Sequence, residues 1–498
     1  MKKIVLLTLI FTTFTVIACK DFLDVENPNQ LTTDSFFKTD KQAISAVNAI
    51  YAGLQANNLY NREYFFTHDL LSDDNMSGGA QLEAPRNQLL THVFDGSNSL
   101  ILAVWRGLYR VILRANFAIQ NLPEAEGISD ELRSRLLGEA HFLRAWAYFE
   151  LVSLWGDVPM YTEPNISPDG KLRSSEEEIY TLIFADLTIA ENNLPLNSTY
   201  AGSDIGRASK GAAQALEGKI RMFRGEYAAA KTALEKVVNS NEYSLVARYS
   251  DNLEEGNEFN SESIFEVLFT EARGSAGAWS GDGSGAADVT FRGQEYGANT
   301  WRNVIPSTSL IAEFEDGDPR YDYNFWLLGE TYNNGQDVLT ADKVQGNNPD
   351  VSWQKYSNLY QRDAENFQSG INFRVIRLAD VFLMLAEAEN EVNGPTAIAL
   401  DYLNRTRNRA DVNMPNYPTA AYPTATKDQM FAAIVHERRV ELCGEQIRNR
   451  DIRRWRRQGK LTTEPIANYQ SKHDKLPIPI EELDNNNALT SSDQNPGY

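Results

Sequence analysis

The chain has 498 residues, of which 42% are hydrophobic, 23% charged and 11% aromatic. This length and composition exclude a small disulfide-stapled scaffold and a disordered chain, and they indicate one large or two fused globular domains. The formal net charge of −21 gives no attraction to nucleic-acid phosphates, so we expect no nucleic acid among the partners.

Residues 1–18 have the pattern of an export signal. Two lysines precede an apolar run that ends at Ile17, and this run is shorter than the ~20 residues that a membrane-spanning helix needs. Residues 16–19, Val-Ile-Ala-Cys, resemble the lipobox of bacterial lipoproteins, in which the cysteine is acylated after cleavage. We therefore expect a mature lipoprotein that begins at Cys19. The alternative is an ordinary secretory signal that Cys19 follows by accident.

A polar tether is predicted over residues 19–30, before the first globular region, residues 31–250. Residues 33–35, Thr-Asp-Ser, form a candidate helix cap, and apolar side chains at helical spacing predict an amphipathic helix over residues 40–56. A second apolar helix is predicted over residues 103–121.

Three later segments share one residue pattern. Residues 136–155, 211–223 and 378–392 each form a long helical pattern with alanine or glycine at packing positions, and a turn with glycine follows each of them. Small residues let neighbouring helices approach closely, as in tetratricopeptide helix pairs. The sequence therefore predicts a mostly α fold with divergent helical repeats. Unrelated amphipathic hairpins are the alternative.

A different segment lies between the repeats. Residues 274–346 contain 11 of the 31 glycines, which is too many for a stretch of persistent helix. Four of the eight tryptophans lie in this stretch or just beyond it. Because large aromatic residues on irregular backbone often form binding surfaces, we interpret residues 274–360 as a glycine- and aromatic-rich, ligand-binding insertion with little β structure.

No catalytic signature accompanies these elements. The chain has five histidines, and it lacks both the nucleophile-elbow and the phosphate-loop patterns. We expect no enzyme activity and no cofactor, although the 68 acidic residues leave a glycoside hydrolase as an alternative. Cys443 lies within a helical pattern, which favours a buried thiol over a nucleophile.

One loop resembles a calcium site. Asp73 and Asn75 occupy the first and third positions of a calcium-loop pattern, but Ala84 stands where the bidentate carboxylate belongs. We therefore predict no metal here, and instead a polar loop that hydrogen-bonds to itself or to a ligand.

The arginine-rich residues 438–457 are interleaved with carboxylates. Eight arginines are interspersed with the carboxylates of Glu437, Glu441, Glu445 and Asp451. We therefore expect these arginines to form local ion pairs along a helix, which is a structural role.

Several segments together resemble the SusD/RagB family of outer-membrane nutrient-binding lipoproteins. The resemblance covers the chain from the lipobox to the last residue. The matching segments are residues 19–24, 36–37 with 43–51, 139–159, 377–388, 403–410, 437–442 with 451–455, 476–479 and 494–498.

The resemblance implies a helical, tetratricopeptide-like side with an irregular ligand-binding half packed on it, the family's C-terminal region covering residues 251–498. It also implies a lipid-anchored protein at the cell exterior, which binds a glycan, or alternatively a peptide, and delivers it to a SusC-like TonB-dependent transporter. In such proteins the ligand surface is usually formed by loops that correspond to residues 66–100 and 274–360.

Candidate ligand residues follow from the chemistry of sugars, which stack on aromatic rings and hydrogen-bond to polar side chains. The predicted platforms are Trp279, Tyr296, Trp301 and Trp353, and the predicted polar partners are Asp73, Asn75, Arg292 and Asn299. For each of them the alternative is a side chain packed under a loop. The remaining tryptophans in helical patterns, Trp105, Trp146, Trp155 and Trp455, are assigned to the core.

We therefore expect a glycan-capturing surface lipoprotein. The alternative from another class is a protein-interaction scaffold that uses its helical repeats and binds no small ligand.

Overall fold

The computed structural model describes residues 37–79, 82–272 and 288–498. The predicted leader, tether and lipid site at Cys19, the candidate cap at 33–35 and the platform candidate Trp279 lie outside these residues.

The described chain is mostly helical, as predicted. Its helices are α1 Asp40–Leu54, α2 Glu63–Leu70, α3 Ala84–Thr91, α4 Ser99–Asn121, α5 Asp130–Trp155, α6 Glu176–Asn193, α7 Lys210–Arg224, α8 Tyr227–Asn239, α9 Arg292–Tyr296, α10 Thr308–Ile311, α11 Arg320–Asn324, α12 Leu378–Asn393, α13 Ala397–Arg407, α14 Lys427–Leu442, α15 Arg448–Arg457 and α16 Ile480–Asn485.

The strands are short and pair only in twos. All five pairs in the described chain are antiparallel, and the pair β4/β10 contains the longest strands. The strands are β1 Asn75–Ser77, β2 Val158–Pro159, β3 Arg173–Ser174, β4 Ser263–Val267, β5 Val304–Pro306, β6 Phe325–Leu327, β7 Thr331–Tyr332, β8 Asp337–Val338, β9 Val351–Trp353 and β10 Phe373–Arg377, paired as β1/β5, β2/β3, β4/β10, β6/β9 and β7/β8.

The long helices form one continuous stack. Helix α1 packs on α4, and the series continues through α5, α6, α7 and α8 to α12, which contacts both α13 and α14. Small residues permit the close contacts: a Cβ atom on Gly218 of α7 would lie 2.4 Å from Leu234 of α8. The prediction of tetratricopeptide-like helix packing is confirmed.

The boundaries agree with the predicted helices to within a few residues. Helix α1 begins after Thr39, whose side chain accepts a hydrogen bond from the Gln42 backbone N–H, and α7 ends at Gly225 in the left-handed region. The four tryptophans assigned to the core are buried, with no more than 2% of each residue exposed. None of the helices in the described ranges is long and apolar enough to cross a membrane.

The insertion differs from its prediction in one respect. Three helices of four or five residues, α9 to α11, occur in it, although we expected no persistent helix. They are compatible with the glycine content because each lasts only about one turn. The insertion also forms a small apolar cluster of its own, which consists of Ala298, Trp326, Tyr332, Leu339, Val344 and Leu359.

The arginines of α14 and α15 pair mostly with distant elements, and not locally as predicted. Arg438 contacts Asp380 of α12, Arg439 contacts Asp74, and Arg450 contacts Glu150 of α5. Their sequence neighbours Glu437, Glu441 and Glu445 bind arginines and a lysine from elsewhere, namely Arg320, Arg377, Arg407, Arg409 and Lys355. The segment therefore joins the helical stack to the loop-rich half.

Cys443 lies between α14 and α15 and is buried, as predicted. Burial raises the pKa of its thiol to about 12, so the thiol stays protonated at neutral pH.

Candidate ligand-binding face

Trp301 lies at the surface of the loop-rich half, between α9 and β5. Its side chain is partly exposed and packs with its inner side on the main core. The guanidinium carbon of Arg62, at the start of α2, lies 6.0 Å from the centre of the Trp301 ring and 5.4 Å from that of Phe291. A residue from the first helices and two residues from the insertion therefore meet at this face.

Carboxylates surround Arg62 and the neighbouring Arg86. The Arg62 Nε atom donates to Glu295 Oε1 at 2.6 Å, and Arg86 Nη2 donates to Glu63 Oε1 at 3.0 Å. Arg86 Nη1 also lies 3.1 Å from Glu83 Oε2, and the Glu83 side chain is 55% exposed. The cluster thus presents the Glu83 carboxylate to solvent, 3.4 Å from the Arg62 guanidinium.

The buried charges of this cluster are balanced. Burial opposes the positive charge of Arg86, but Glu63, Glu295 and Glu83 outweigh it and raise the pKa of Arg86. Burial raises the pKa of Glu63, an effect that Arg86 and Arg62 oppose. Because the ion pairs hold these side chains in place, the polar groups near Trp301 are preorganised for hydrogen bonding.

Arg302, the next residue after Trp301, fixes the neighbouring loop. It is fully buried, and burial lowers its pKa to about 10. Its guanidinium makes five hydrogen bonds of 2.5 to 3.0 Å, and the acceptors are the carbonyl oxygens of Gln345, Asn347, Asn348 and Val351 and the hydroxyl of Ser352.

The same loop touches the backbone that follows β1. The Asn347 N–H donates to Gly78 O at 2.7 Å, and the Gly78 N–H donates to Asn303 O at 3.1 Å. Gly346 has φ +79°, and a Cβ atom on it would lie 2.2 Å from Gly78 O. Only glycine allows this approach, which holds residues 75–79 and 345–348 together. The contact between Gly78 and Asn303 connects both segments to the backbone two residues after Trp301.

The polar candidates of the calcium-like loop have protein partners. Asp73 Oδ1 accepts from Arg448 Nε at 2.7 Å, and Asp73 Oδ2 lies 3.0 Å from Arg439. Asn75 is buried, and its Oδ1 accepts from Trp353 Nε1 at 3.0 Å. No group of three or more potential metal ligands occurs among the described residues. The loop is a polar structural element that hydrogen-bonds within the protein.

Arg292 and Tyr296 are also internal. Both contact Asp69: Arg292 Nη1 donates to Asp69 Oδ2 at 2.8 Å, and the Tyr296 hydroxyl donates to the same oxygen at 3.1 Å. The Arg292 guanidinium carbon lies 3.4 Å from the centre of the Tyr296 ring. At 0% and 2% exposure, these side chains bind each other and the core.

These positions correct the predicted ligand set. Asn75, Arg292, Tyr296 and Trp353 are buried in this structure and unavailable to a surface ligand. The two aromatic rings remove apolar area from water, and the two polar side chains are hydrogen-bonded inside the protein, Asn75 to Trp353 and Arg292 to Asp69. Trp301 and Asn299 retain partial exposure. Arg62, which we did not predict, lies beside Trp301, and Glu83, also not predicted, is ion-paired to Arg62.

Asn299 has a supporting position. Its Nδ2 donates to Asp363 O at 2.8 Å, and its Oδ1 accepts from the Glu365 N–H at 3.2 Å. Asn299 therefore braces residues 363–365, and its partly exposed side chain precedes Trp301 by two residues in the chain.

Comparisons with known proteins cover nearly the whole chain. Residues 261–498 match the model of the SusD family, and residues 21–222 match a family described as starch-binding associating with outer membrane. The chain is similar to SusD-like protein P25 of Formosa agariphila, with 30% identity over 98% of each chain. It is also similar to the starch-binding protein SusD of Bacteroides thetaiotaomicron, with 23% identity over 76% of this chain and 75% of that protein. A solved structure of a laminarin-binding SusD-like protein superposes with a TM-score of 0.77 at 27% identity, covering 93% of this chain and 100% of the other.

Proposed function

Because this chain belongs to the SusD/RagB family, we propose that it is a glycan-binding lipoprotein of the outer-membrane surface. It captures an oligosaccharide or polysaccharide and passes it to a SusC-like TonB-dependent transporter. It acts by binding and not by catalysis.

The observation that carries this proposal is the full-length match to a protein that is described as laminarin-binding. The match covers 93% of this chain and all of that protein, so it includes the loop-rich half as well as the helical stack. A scaffold function would need the helices alone.

The site that we propose for the glycan is the face around Trp301. The exposed part of the Trp301 indole ring stacks on the apolar face of a pyranose. The half-exposed Glu83 and the amide of Asn299 form hydrogen bonds with the sugar hydroxyl groups. Arg302 and Gly346 hold the adjoining loop rigid, which lowers the entropy lost on binding.

The test is affinity electrophoresis of the whole mature chain through gels that contain one polysaccharide each, with laminarin and starch among them. We expect retardation in at least one gel, and recovery of that polysaccharide with unchanged chain length. Normal mobility in every gel of a broad polysaccharide panel would contradict glycan capture. Shortened polysaccharide would contradict the binding-only role and favour a glycoside hydrolase.

The membrane anchor is tested separately. The Cys19→Ala substitution should abolish labelling with palmitate and release the protein from membranes, because Cys19 carries the proposed acyl chains. Labelling that persists in this variant would contradict the lipoprotein assignment.

The transporter partner is tested by purification. The affinity-tagged chain should co-purify from native outer membranes with a large TonB-dependent barrel. Purification without one would remove the delivery step from the proposal.

A further inference from the structure

A cavity of about 660 Å³ lies on the helical side, well apart in sequence from the face around Trp301. Its walls are residues 105–113 of α4, residues 161–170 and residues 482–486 at the end of α16. The volume falls within the range of about 300–1,000 Å³ that is typical of small-ligand sites in proteins. The cavity is therefore large enough to hold a ligand of its own.

Three adjoining aromatic side chains form the floor of the cavity. The ring centres of Trp105 and Tyr109 lie 5.0 Å apart, and those of Tyr109 and Tyr161 lie 5.8 Å apart. No more than 7% of any of the three residues is exposed, so packing holds the rings in place. An aromatic floor of this kind can cover the apolar face of a ring-shaped ligand.

The hydroxyl of Tyr161 has no partner within the protein. Tyr161 is 4% exposed, yet its hydroxyl makes no hydrogen bond to any residue that the structure describes. Burial, with a smaller contribution from Glu482, raises the pKa of Tyr161 to about 12, so the hydroxyl is neutral and can both donate and accept. Because polar groups in protein interiors normally have partners, this hydroxyl indicates a hydrogen-bonding ligand in the cavity.

Two further polar side chains line the cavity. Glu482 Oε1 accepts from Asn486 Nδ2 at 2.9 Å, and Glu482 Oε2 accepts from Trp105 Nε1 at 3.3 Å. Each carboxylate oxygen can accept a second hydrogen bond from a ligand hydroxyl. Asn485 is exposed, and within the described part of the chain its amide makes no hydrogen bond. The cavity thus offers donors and acceptors beside its aromatic floor.

The charges around the cavity favour a neutral ligand. Arg106, which would attract an anion, pairs with Glu481 of α16, and Arg110 also has a contact of its own within the protein. Lys171 Nζ lies 5.5 Å from the centre of the Tyr161 ring, where a ligand cation would otherwise stack. An anion or a cation would therefore compete with contacts that already exist, whereas a neutral ligand would not.

The walls of the cavity are joined to each other. Asn486 Oδ1 accepts from the Lys171 N–H at 3.1 Å, and Asn486 Nδ2 donates to Lys171 O at 2.9 Å. Gly170 has φ +70°, and a Cβ atom on it would lie 1.8 Å from Asn486 Oδ1, so only glycine allows this approach. The cavity is therefore preformed, which lowers the entropy lost on binding.

We propose that this cavity is a second carbohydrate-binding site, which takes a neutral pyranose unit or the end of a short oligosaccharide. The aromatic floor contacts the apolar face of the sugar, and Tyr161, Glu482 and Asn485 form hydrogen bonds with its hydroxyl groups. The choice of a sugar among neutral ligands rests on the proposed function. Because the site does not include Trp301, one molecule can hold a long glycan at two points, which strengthens its retention.

Hydrogen exchange of the whole mature chain, with and without millimolar sugar, locates the ligand directly. The probes are glucose, galactose, mannose, xylose, laminarihexaose and maltohexaose. At least one of them should slow the exchange of amides in residues 161–170, both in the unmodified chain and in the Trp301→Ala variant. Absence of protection with every probe would overturn the proposal. Protection that the Trp301→Ala substitution abolishes would also overturn it, because the effect would then come from the other face.

The Tyr161→Phe substitution removes the hydroxyl and keeps the ring. It should weaken binding of the protecting sugar by about 3- to 10-fold, measured as the sugar concentration that gives half-maximal protection. The melting temperature should not change, since that hydroxyl has no partner in the protein. The matched control is Tyr180→Phe in α6, which removes another hydroxyl that has no hydrogen-bond partner among the described residues and should leave binding unchanged. Equal affinities for the Tyr161→Phe variant and the unmodified chain would overturn the proposal.

The same experiment separates this proposal from the proposed function. Protection of residues 297–304 alone would support the glycan site at Trp301 and overturn the second site. Protection of residues 161–170 alone would support the second site and contradict the site at Trp301. Protection of residues 161–170 by octanol, but by none of the sugars, would assign the cavity to an apolar ligand and overturn the proposal.

Discussion

Arg450 Nη2 donates to both carboxylate oxygens of Glu150, at 2.7 and 2.6 Å. Glu150 lies in α5 and Arg450 in α15, 300 residues later, and both side chains are buried. His68 Nε2 lies 3.3 Å from the same carboxylate, and burial lowers the pKa of His68, so this imidazole is neutral at pH 7. The pair therefore joins the last third of the chain to its longest helix.

The Arg450→Met substitution should reduce the free energy of unfolding by about 3–5 kcal/mol, because it leaves the Glu150 carboxylate buried without its partner. Adding Glu150→Leu should recover part of this loss, since the uncompensated charge is then gone. Urea denaturation followed by circular dichroism measures both effects.

The matched control is Arg457→Met. Arg457 pairs with Glu176 at 2.8 Å, but its side chain is 51% exposed, so its loss should cost less than about 1 kcal/mol. Equal losses for Arg450→Met and Arg457→Met would show that the Glu150 pair does not join the two parts of the chain.

Gly346→Ala should destabilise the loop next to Trp301 more than Gly335→Ala does. Both glycines have positive φ, so each substitution costs about 1–2 kcal/mol for the left-handed backbone. A Cβ atom at Gly346 would also lie 2.2 Å from Gly78 O, whereas nothing lies within 4 Å at Gly335. Melting temperatures of the two variants give the comparison, and equal values would mean that the approach to Gly78 is not tight.

Acid should destabilise the protein through the carboxylates between α14 and its arginine partners. Burial alone would raise the pKa of Glu441, but Arg377, Arg409 and Arg320 outweigh it and hold that pKa well below the usual range. A depressed folded-state pKa contributes stability that is complete above the unfolded value of about 4.3 and disappears as the pH falls further. Melting temperature should therefore fall steeply below about pH 5.

Glu441→Gln tests the origin of that fall. The variant should be less stable at pH 7 and should lose less on acidification than the unmodified chain, since it has no proton to take up at this position. Glu131→Gln, at an exposed position in the first turn of α5, should leave the acid limb of the curve unchanged. Identical acid limbs for the Glu441→Gln variant and the unmodified chain would assign the pH dependence to other groups.

Local pattern predicted the helical part of this fold well. The spacing of apolar residues over 136–155 gave a helix that the structure shows as α5, and the helix pair α12/α13 follows from Ala386 and Ala388 at packing positions. These features depend on neighbours within a few turns, which a single sequence contains.

The candidate site was less predictable, because its contacts are not local. Trp353 binds Asn75 across 278 residues of sequence, and no periodicity indicates that such an aromatic ring turns inward. Arg62 had no motif of its own, yet it stands beside Trp301 because α2 and the insertion pack together. The one available signal was compositional: tryptophan enrichment indicated the correct segment without separating Trp301 from its buried neighbours.

Calorimetric titration of the Trp301→Ala variant with the polysaccharide that retards the unmodified chain tests the central claim most directly. We expect a 5- to 150-fold loss of affinity, which corresponds to about 1–3 kcal/mol for an aromatic hot spot, with the melting temperature within a few degrees of the unmodified value. The partly exposed Tyr402 of α13 provides the control, and Tyr402→Ala should bind normally. Unchanged affinity in a folded Trp301→Ala variant would contradict a glycan site at this face.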